Sequence, residues 1–209
     1  MTFYIAIIDY EMGNLKSITK LIQHLGAKSI ITSNHKEIFN ANGVILPGVG
    51  AFGDAMEQLR KKNLISAINR LKEDNKPLFG ICLGQQLLFS KSLEMGEHEG
   101  LDLIKGSVIP FDLKKVDKVP QIGWNSVNFI NNDHYLTKNI PNNSYFYFVH
   151  SFYVNPENRN DIIGITKYGE IEFSSIVFKD NIVATQFHPE KSSKHGIMMY
   201  QNFIDYCKK

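Results

Sequence analysis

Short, wholly apolar runs alternate along the chain with longer stretches whose apolar residues recur every three or four positions. Residues 3–8 read as a strand, and Leu15, Ile18, Leu21, Ile22 and Leu25 then form a helical stripe that Gly26 ends. Lys28 to Thr32 reads as a second strand and Gly43-Val44-Ile45-Leu46 as a third. Phe52, Met56 and Leu59 begin a helix with Asp54 near its first turn. Leu64, Ile65, Ile68 and Leu71 continue helical after Asn63, until Asn75-Lys76-Pro77 breaks the pattern. Pro77 to Ile81 is again short and apolar, as a strand buried on both faces should be. Leu83 to Leu93 returns to helical spacing. This order of strands and helices predicts a parallel sheet with right-handed crossovers.

From Gly100 onward the pattern changes. Residues 103–111, 126–130, 145–154, 161–167 and 172–179 read as strands joined by short turns. Ile182 to Phe187 reads as one more strand, and Ser193 to Cys207 as a closing helix. The pairs Asn131-Asn132 and Asn142-Asn143 read as surface loops. The expected fold is α/β, with a mainly parallel central sheet flanked by helices and an added antiparallel layer, in one domain spanning 1–209.

Composition narrows the function. A net charge of +2 predicts neither a nucleic-acid nor a polyanion surface. The seven histidines include no pair at metal-ligand spacing, so no metal site is expected from them; no organic cofactor is expected for the chemistry read below. Cys82 and Cys207 are the only cysteines and do not make a disulfide framework. The apolar start, Met1 to Ile8, lacks a basic flank and a cleavage site and is too short to span a bilayer. It reads as the first strand of a cytoplasmic protein.

Cys82 stands where the apolar strand meets the helical pattern, between Gly80 and Gly84. Small neighbours permit a tight, strained turn that carries a thiol to the carboxyl end of the sheet and to a helix N-terminus, which favours thiolate. That is the strand–nucleophile–helix geometry of a hydrolase elbow with sulfur in place of oxygen. Read alone, the stretch fits a buried core cysteine as well. A hundred residues on, His188-Pro189-Glu190 follows a strand. His188 can take the thiol proton, and Glu190 can accept the other imidazole N–H and fix the tautomer. Pro47-Gly48-Val49-Gly50 follows the third strand and should face Cys82, since open α/β sheets bind ligands at the carboxyl ends of their strands. Backbone N–H groups there can serve an oxyanion, and elbow logic makes the Leu83 N–H one such donor. A peptide that had to flip to present its N–H would keep activity low until a partner or ligand drove the flip.

Gly80-Ile81-Cys82-Leu83-Gly84-Gln85-Gln86 together with His188-Pro189-Glu190 resembles the triad (class I) glutamine amidotransferases, and the likeness covers the whole chain. Asp9-Tyr10-Glu11-Met12-Gly13-Asn14, Pro47 to Phe52 and Gly123-Trp124-Asn125 are similar to the branch formed by the glutaminase subunits of imidazole glycerol phosphate synthases. The resemblance implies a Cys82, His188, Glu190 triad that hydrolyses L-glutamine through a cysteine thioester, and a second oxyanion donor at Val49 or Gly50. It implies substrate contacts from Gln86 and Glu94, to the amide end and the α-amino group respectively. Ser151 and Phe152 would hold the α-carboxylate. It also implies a heterodimer with a (β/α)-barrel cyclase of histidine biosynthesis, met by Trp124, Tyr147 and Lys191, to which ammonia passes. His150, with no carboxylate near it in sequence, ranks behind His188 as the base. Cys207 reads as a packing or surface residue.

Three other readings compete. One is an amidotransferase subunit feeding a different synthetase, such as a sugar-modifying partner; the partner-facing segment separates it. Another is a non-catalytic regulatory subunit, against which the intact Cys82, His188 and Glu190 speak. The third is a cysteine peptidase on the same fold, which would have no use for Gln86 and Glu94 in a glutamine-sized pocket.

Overall fold

A computed structural model describes residues 2–131 and 133–209. The first half alternates β1 (Ile5–Ile8), α1 (Leu15–His24), β2 (Ser29–Thr32), α2 (His35–Asn40), β3 (Gly43–Leu46), α3 (Phe52–Lys61), α4 (Leu64–Glu73) and β4 (Leu78–Ile81). After β4 come α5 (Leu83–Leu87), β5 (Phe89–Ser92), β6 (His98–Glu99), β7 (Ile104–Pro110) and β8 (Gln121–Phe129). The chain closes with β9 (Ser144–His150), β10 (Phe152–Pro156), β11 (Ile162–Tyr168), β12 (Ile171–Lys179), β13 (Ile182–Thr185) and α6 (Ser193–Cys207).

All the strands join one sheet, with the order β2-β1-β3-β4-β13-β12-β10-β7-β5-β6 along its main path. From β2 to β13 every pairing is parallel. β12 is antiparallel to β13 and begins the mainly antiparallel part, in which β5 and β7 pair parallel. A branch leaves it there through β11 to the β8–β9 ribbon.

Side chains on a strand alternate faces, and both faces of the parallel part are covered. Ile5, Ile7, Ile45, Phe79 and Ile81 point one way and pack against Ile18 and Ile22 of α1 and Met199, Tyr200, Phe203 and Ile204 of α6. Ala6, Ile8, Val44, Leu46 and Leu78 point the other way, against α2, α3 and α4. Runs buried from end to end explain why these strands read as unbroken apolar segments.

Three readings of the sequence change, and one element is added. The helix expected from Leu83 to Leu93 stops at Leu87, and Phe89–Ser92 is a strand. The reason lies in partners distant in sequence: the Leu87 carbonyl accepts from Leu101 N–H, and that of Leu88 from Leu103 and Ile104 N–H. The run 145–154 breaks at Ser151 into β9 and β10, which pair with different strands. The segment around Trp124, ahead of the strand expected at 126–130, is itself strand from Gln121. A short helix, α2, follows Asn34, whose side chain caps it by accepting from Lys36 N–H. Of the expected surface pair Asn131-Asn132, Asn132 lies outside the described residues, as does Met1 at the start of the first strand. No helix among the described residues is long and apolar enough to cross a membrane.

Candidate active site

β1, β3, β4 and β13 are consecutive parallel neighbours, so the loops leaving their carboxyl ends meet at one edge of the sheet. Cys82 leaves β4, with its N–H on the Thr185 carbonyl of β13 at 2.8 Å. Its backbone is left-handed, φ 54° and ψ −111°, a conformation costing a non-glycine residue about 1–3 kcal/mol. Two glycines make the turn possible. A Cβ on Gly84 would stand 1.9 Å from the Leu46 carbonyl oxygen, and one on Gly80 would stand 2.9 Å from that of Gly84. α5 therefore sits directly on β3, and Leu83 opens it with an N–H that has no intrahelical acceptor.

β13 runs on to His188. Its backbone N–H donates to Tyr147 O at 2.9 Å, and Nδ1 donates to Glu190 Oε1 at 2.8 Å. Both side chains are almost wholly buried, at 3% and 1% exposure, and the carboxylate fixes the proton on Nδ1. That leaves Nε2 for the pocket, where among the described residues it has no hydrogen-bond partner. Burial pulls the His188 pKa down, but the Cys82 thiol and the Glu190 carboxylate outweigh it and hold the imidazole above its ordinary value. The site thus favours an imidazolium beside sulfur. An unfolded imidazole titrates near 6.5, so the pairing stabilises the fold fully below about pH 6.5 and fades as pH rises through the higher folded value. Glu190→Gln is expected to lower the Tm more at about pH 6 than at about pH 9. Thermal unfolding across that range checks this, and an equal loss at both ends would acquit His188 as the source.

A pocket of about 380 Å³ opens over Cys82 and is lined by Val49, Gly50, Leu83, Gln86, Glu94, Pro120, Val149, His150, Ser151, Phe152 and His188. The structure thus brings together every residue expected to hold the oxyanion or the substrate, with the nucleophile and the base. Gln86 Nε2 donates to Phe152 O at 2.9 Å and to Gln186 Oε1 at 3.1 Å. Glu94 lies in the turn between β5 and β6, not on a helix, and its Oε2 accepts from Phe52 N–H at the start of α3. A carboxylate there can meet an ammonium group.

The Val49 N–H donates to Met12 O at 3.4 Å, toward the β1–α1 loop and not into the pocket, so this peptide has to flip before it can serve an oxyanion. Gly50, at φ +100°, follows it. His150 is neutral at ordinary pH, its pKa pushed down to about 4, chiefly by burial. Its Nδ1 donates to Phe152 O at 2.8 Å and its Nε2 lies 3.1 Å from the side-chain amide of Gln121, so both ring nitrogens are engaged in the pocket wall and neither is left to act as a base. One residue at the sulfur goes unnoticed in the sequence. Gln186 is fully buried, its Nε2 lies 3.9 Å from Cys82 Sγ, and its Oε1 holds Gln86. Its only signal is a polar side chain at the end of an apolar strand, just before His188.

Trp124, Tyr147 and Lys191 stand together but outside the pocket. Trp124 and Tyr147 are cross-strand partners in an edge-to-face pair at 6.3 Å, and Lys191 Nζ lies 5.8 Å from the Tyr147 ring centre. Ile122, Trp124 and Tyr145 are each more than half exposed on the same ribbon, an apolar surface of the kind that marks interaction sites.

Similarity to known proteins agrees with this geometry. The family model for glutamine amidotransferase class-I matches residues 6–206. The imidazole glycerol phosphate synthase subunit HisH of Methanocaldococcus jannaschii is 50% identical over 201 residues, covering 96% of this chain and 98% of that one. The subunit of the same name from Sulfurimonas denitrificans is 46% identical over 205 residues, covering 97% and 98%. Among solved structures, PurLQS from Thermotoga maritima superposes with a TM-score of 0.76 at 17% identity, over 99% of each chain. The glutaminase domain of Trypanosoma brucei CTPS, solved with bound acivicin, superposes with a TM-score of 0.71 at 18% identity, over 99% of this chain and 94% of that one. At those identities the superpositions speak for the fold alone. Matched by the family model over nearly its whole length, and close to half identical to full-length relatives, the chain belongs to the class-I glutamine amidotransferases.

Proposed function

We propose that the chain is the glutaminase subunit of an imidazole glycerol phosphate synthase, hydrolysing L-glutamine and handing the ammonia to a (β/α)-barrel cyclase in histidine biosynthesis. The observation that carries the chemistry is the strained Cys82 elbow facing His188 Nε2, with Glu190 behind it. Cys82 passes its thiol proton to His188 Nε2, its sulfur attacks the side-chain amide carbon of glutamine, and the carbonyl π electrons move to oxygen. The N–H groups of Leu83 and Val49 receive that oxyanion, each worth about 3–4 kcal/mol of barrier. The tetrahedral intermediate collapses with loss of the C–N bond. His188 protonates the departing nitrogen, ammonia leaves, and a glutamyl thioester remains. Water, deprotonated by His188, then attacks the thioester and releases glutamate with the thiol restored. Gln86 and Glu94 orient the substrate at its amide and ammonium ends, with Ser151 and Phe152 at the carboxylate.

Val49 bears on the rate. Its N–H is engaged with Met12 O, so the second oxyanion donor is withheld until the peptide turns. The partner reading draws support from the names of the relatives and from the exposed Ile122, Trp124 and Tyr145 beside Tyr147 and Lys191. The test is glutamate release from glutamine by the purified chain, with and without the cyclase subunit of the same genome and its nucleotide substrate. A low rate alone, raised strongly by both, is expected. Unchanged turnover would overturn the histidine-pathway partner and point to another synthetase.

A further inference from the structure

The proposed mechanism leaves one buried group near the oxyanion loop without a task. Tyr10 follows β1, is 1% exposed, and its hydroxyl donates to the Pro47 carbonyl at 2.6 Å. The same hydroxyl fills the space where Gly48 would carry a side chain: a Cβ there would lie 2.5 Å from it, 2.8 Å from Leu83 Cβ and 2.9 Å from Gly84 N. The Tyr10 hydroxyl, the Gly48 backbone and the first turn after Cys82 are therefore in mutual contact. We propose that Tyr10 is a positioning residue for the oxyanion loop, holding the Pro47–Gly48 peptide so that only the next peptide, Gly48–Val49, is free to turn.

Two anchors from neighbouring positions hold this loop, and they differ in kind. The Tyr10 bond is short and buried; the Val49 N–H to Met12 O bond, at 3.4 Å, is long and easily exchanged. Turning the Val49 N–H toward Cys82 breaks the second and leaves the first in place. With the preceding peptide pinned, the Gly48–Val49 peptide turns from a fixed end. Without the pin, the Pro47 carbonyl would lose its partner and the loop its fixed end. The phenol stays protonated, and so a donor, at every working pH: burial first, and then the nearby Cys82, hold its pKa above the ordinary tyrosine value.

The inference rests on the oxyanion role of Val49, and two reactions at the same sulfur test it. Glutamine hydrolysis needs both a thiolate and an oxyanion hole. Alkylation by iodoacetamide is a displacement at carbon and needs only the thiolate. For Tyr10→Phe, assayed free and in complex with the cyclase subunit, kcat for glutamine is expected to fall at least about tenfold, a fraction of what a lost oxyanion donor costs. KM and the alkylation rate constant should stay within about twofold of the parent. Tyr10→Met, which also removes the hydroxyl, should show the same split if the phenylalanine variant folds poorly. Hydrolysis at the parental rate, or hydrolysis and alkylation falling together, would overturn the assignment. A parent chain that releases no glutamate would instead count against the proposed function itself.

Discussion

Cys82→Ala is expected to release no measurable glutamate from glutamine, while still binding the cyclase subunit and supporting its synthesis from added ammonia. The loss should be of the order of a millionfold in kcat, the scale on which removing a nucleophile from a hydrolytic triad is felt. The rest of the molecule has little reason to notice. Alanine at φ 54° is strained as cysteine is, the β4–β13 ladder runs through backbone atoms, and the thiol's contacts with Val149 O and Gln186 Nε2 are long ones at 3.9 Å. The ribbon that presents Trp124 and Tyr147 is held by β8–β9 pairing and makes no use of the thiol. Glutamine-dependent synthesis surviving the substitution would sink the mechanism, because no other thiol is near: Cys207 sits in α6 with its sulfur against Gly43.

Gly84→Ala should be the most damaging single-methyl change at this site. Its added carbon would stand 1.9 Å from Leu46 O and 2.9 Å from Leu46 C. Both obstacles are backbone atoms of a buried central strand, so neither can swing aside. The cost expected is about 3 kcal/mol or more, at or above the top of the usual range for an overpacked core. The misplaced elbow should remove glutaminase activity even where the chain still folds. Gly26→Ala is the control: a Cβ there meets nothing within 4 Å, and only the left-handed φ of +74° is penalised, by roughly 1–2 kcal/mol. Urea unfolding of both variants decides the matter, and a Gly84→Ala midpoint no lower than that of Gly26→Ala would show that α5 can lift off β3 freely.

What the sequence made legible follows from how local each signal is. β1, β3, β4 and β13 were readable because burial on both faces leaves a run with few polar residues, and α1, α3, α4 and α6 because one buried stripe repeats along each. The stretch after Cys82 misled because Leu87, Leu88 and Phe89 suit a helix equally well; carbonyl partners at Leu101, Leu103 and Ile104 decide against it, and spacing does not reveal them. Glu94, just past the end of the expected helix, sits instead in a turn at the pocket rim, beyond a strand. Cys82, His188 and Glu190 could be named from residue type and motif. The bond that withholds Val49 depends on a carbonyl from another loop, and the place of Gln186 on two side chains from other elements. Neither leaves a mark in the local pattern.

β13 is the last strand of the chain, yet it is the strand that joins the parallel half of the sheet to the antiparallel half. Its pairing with β4 links Leu78 to Ile182 and Phe79 to Val183, residues more than a hundred positions apart. Contacts so distant form late, since a long loop must close before they repay its entropy. On a ribosome, the nucleophile is therefore made well before its base, and β4 can be joined to β12 only once β13 has been synthesised. A chain cut short before residue 182 would carry a cysteine without a catalytic partner.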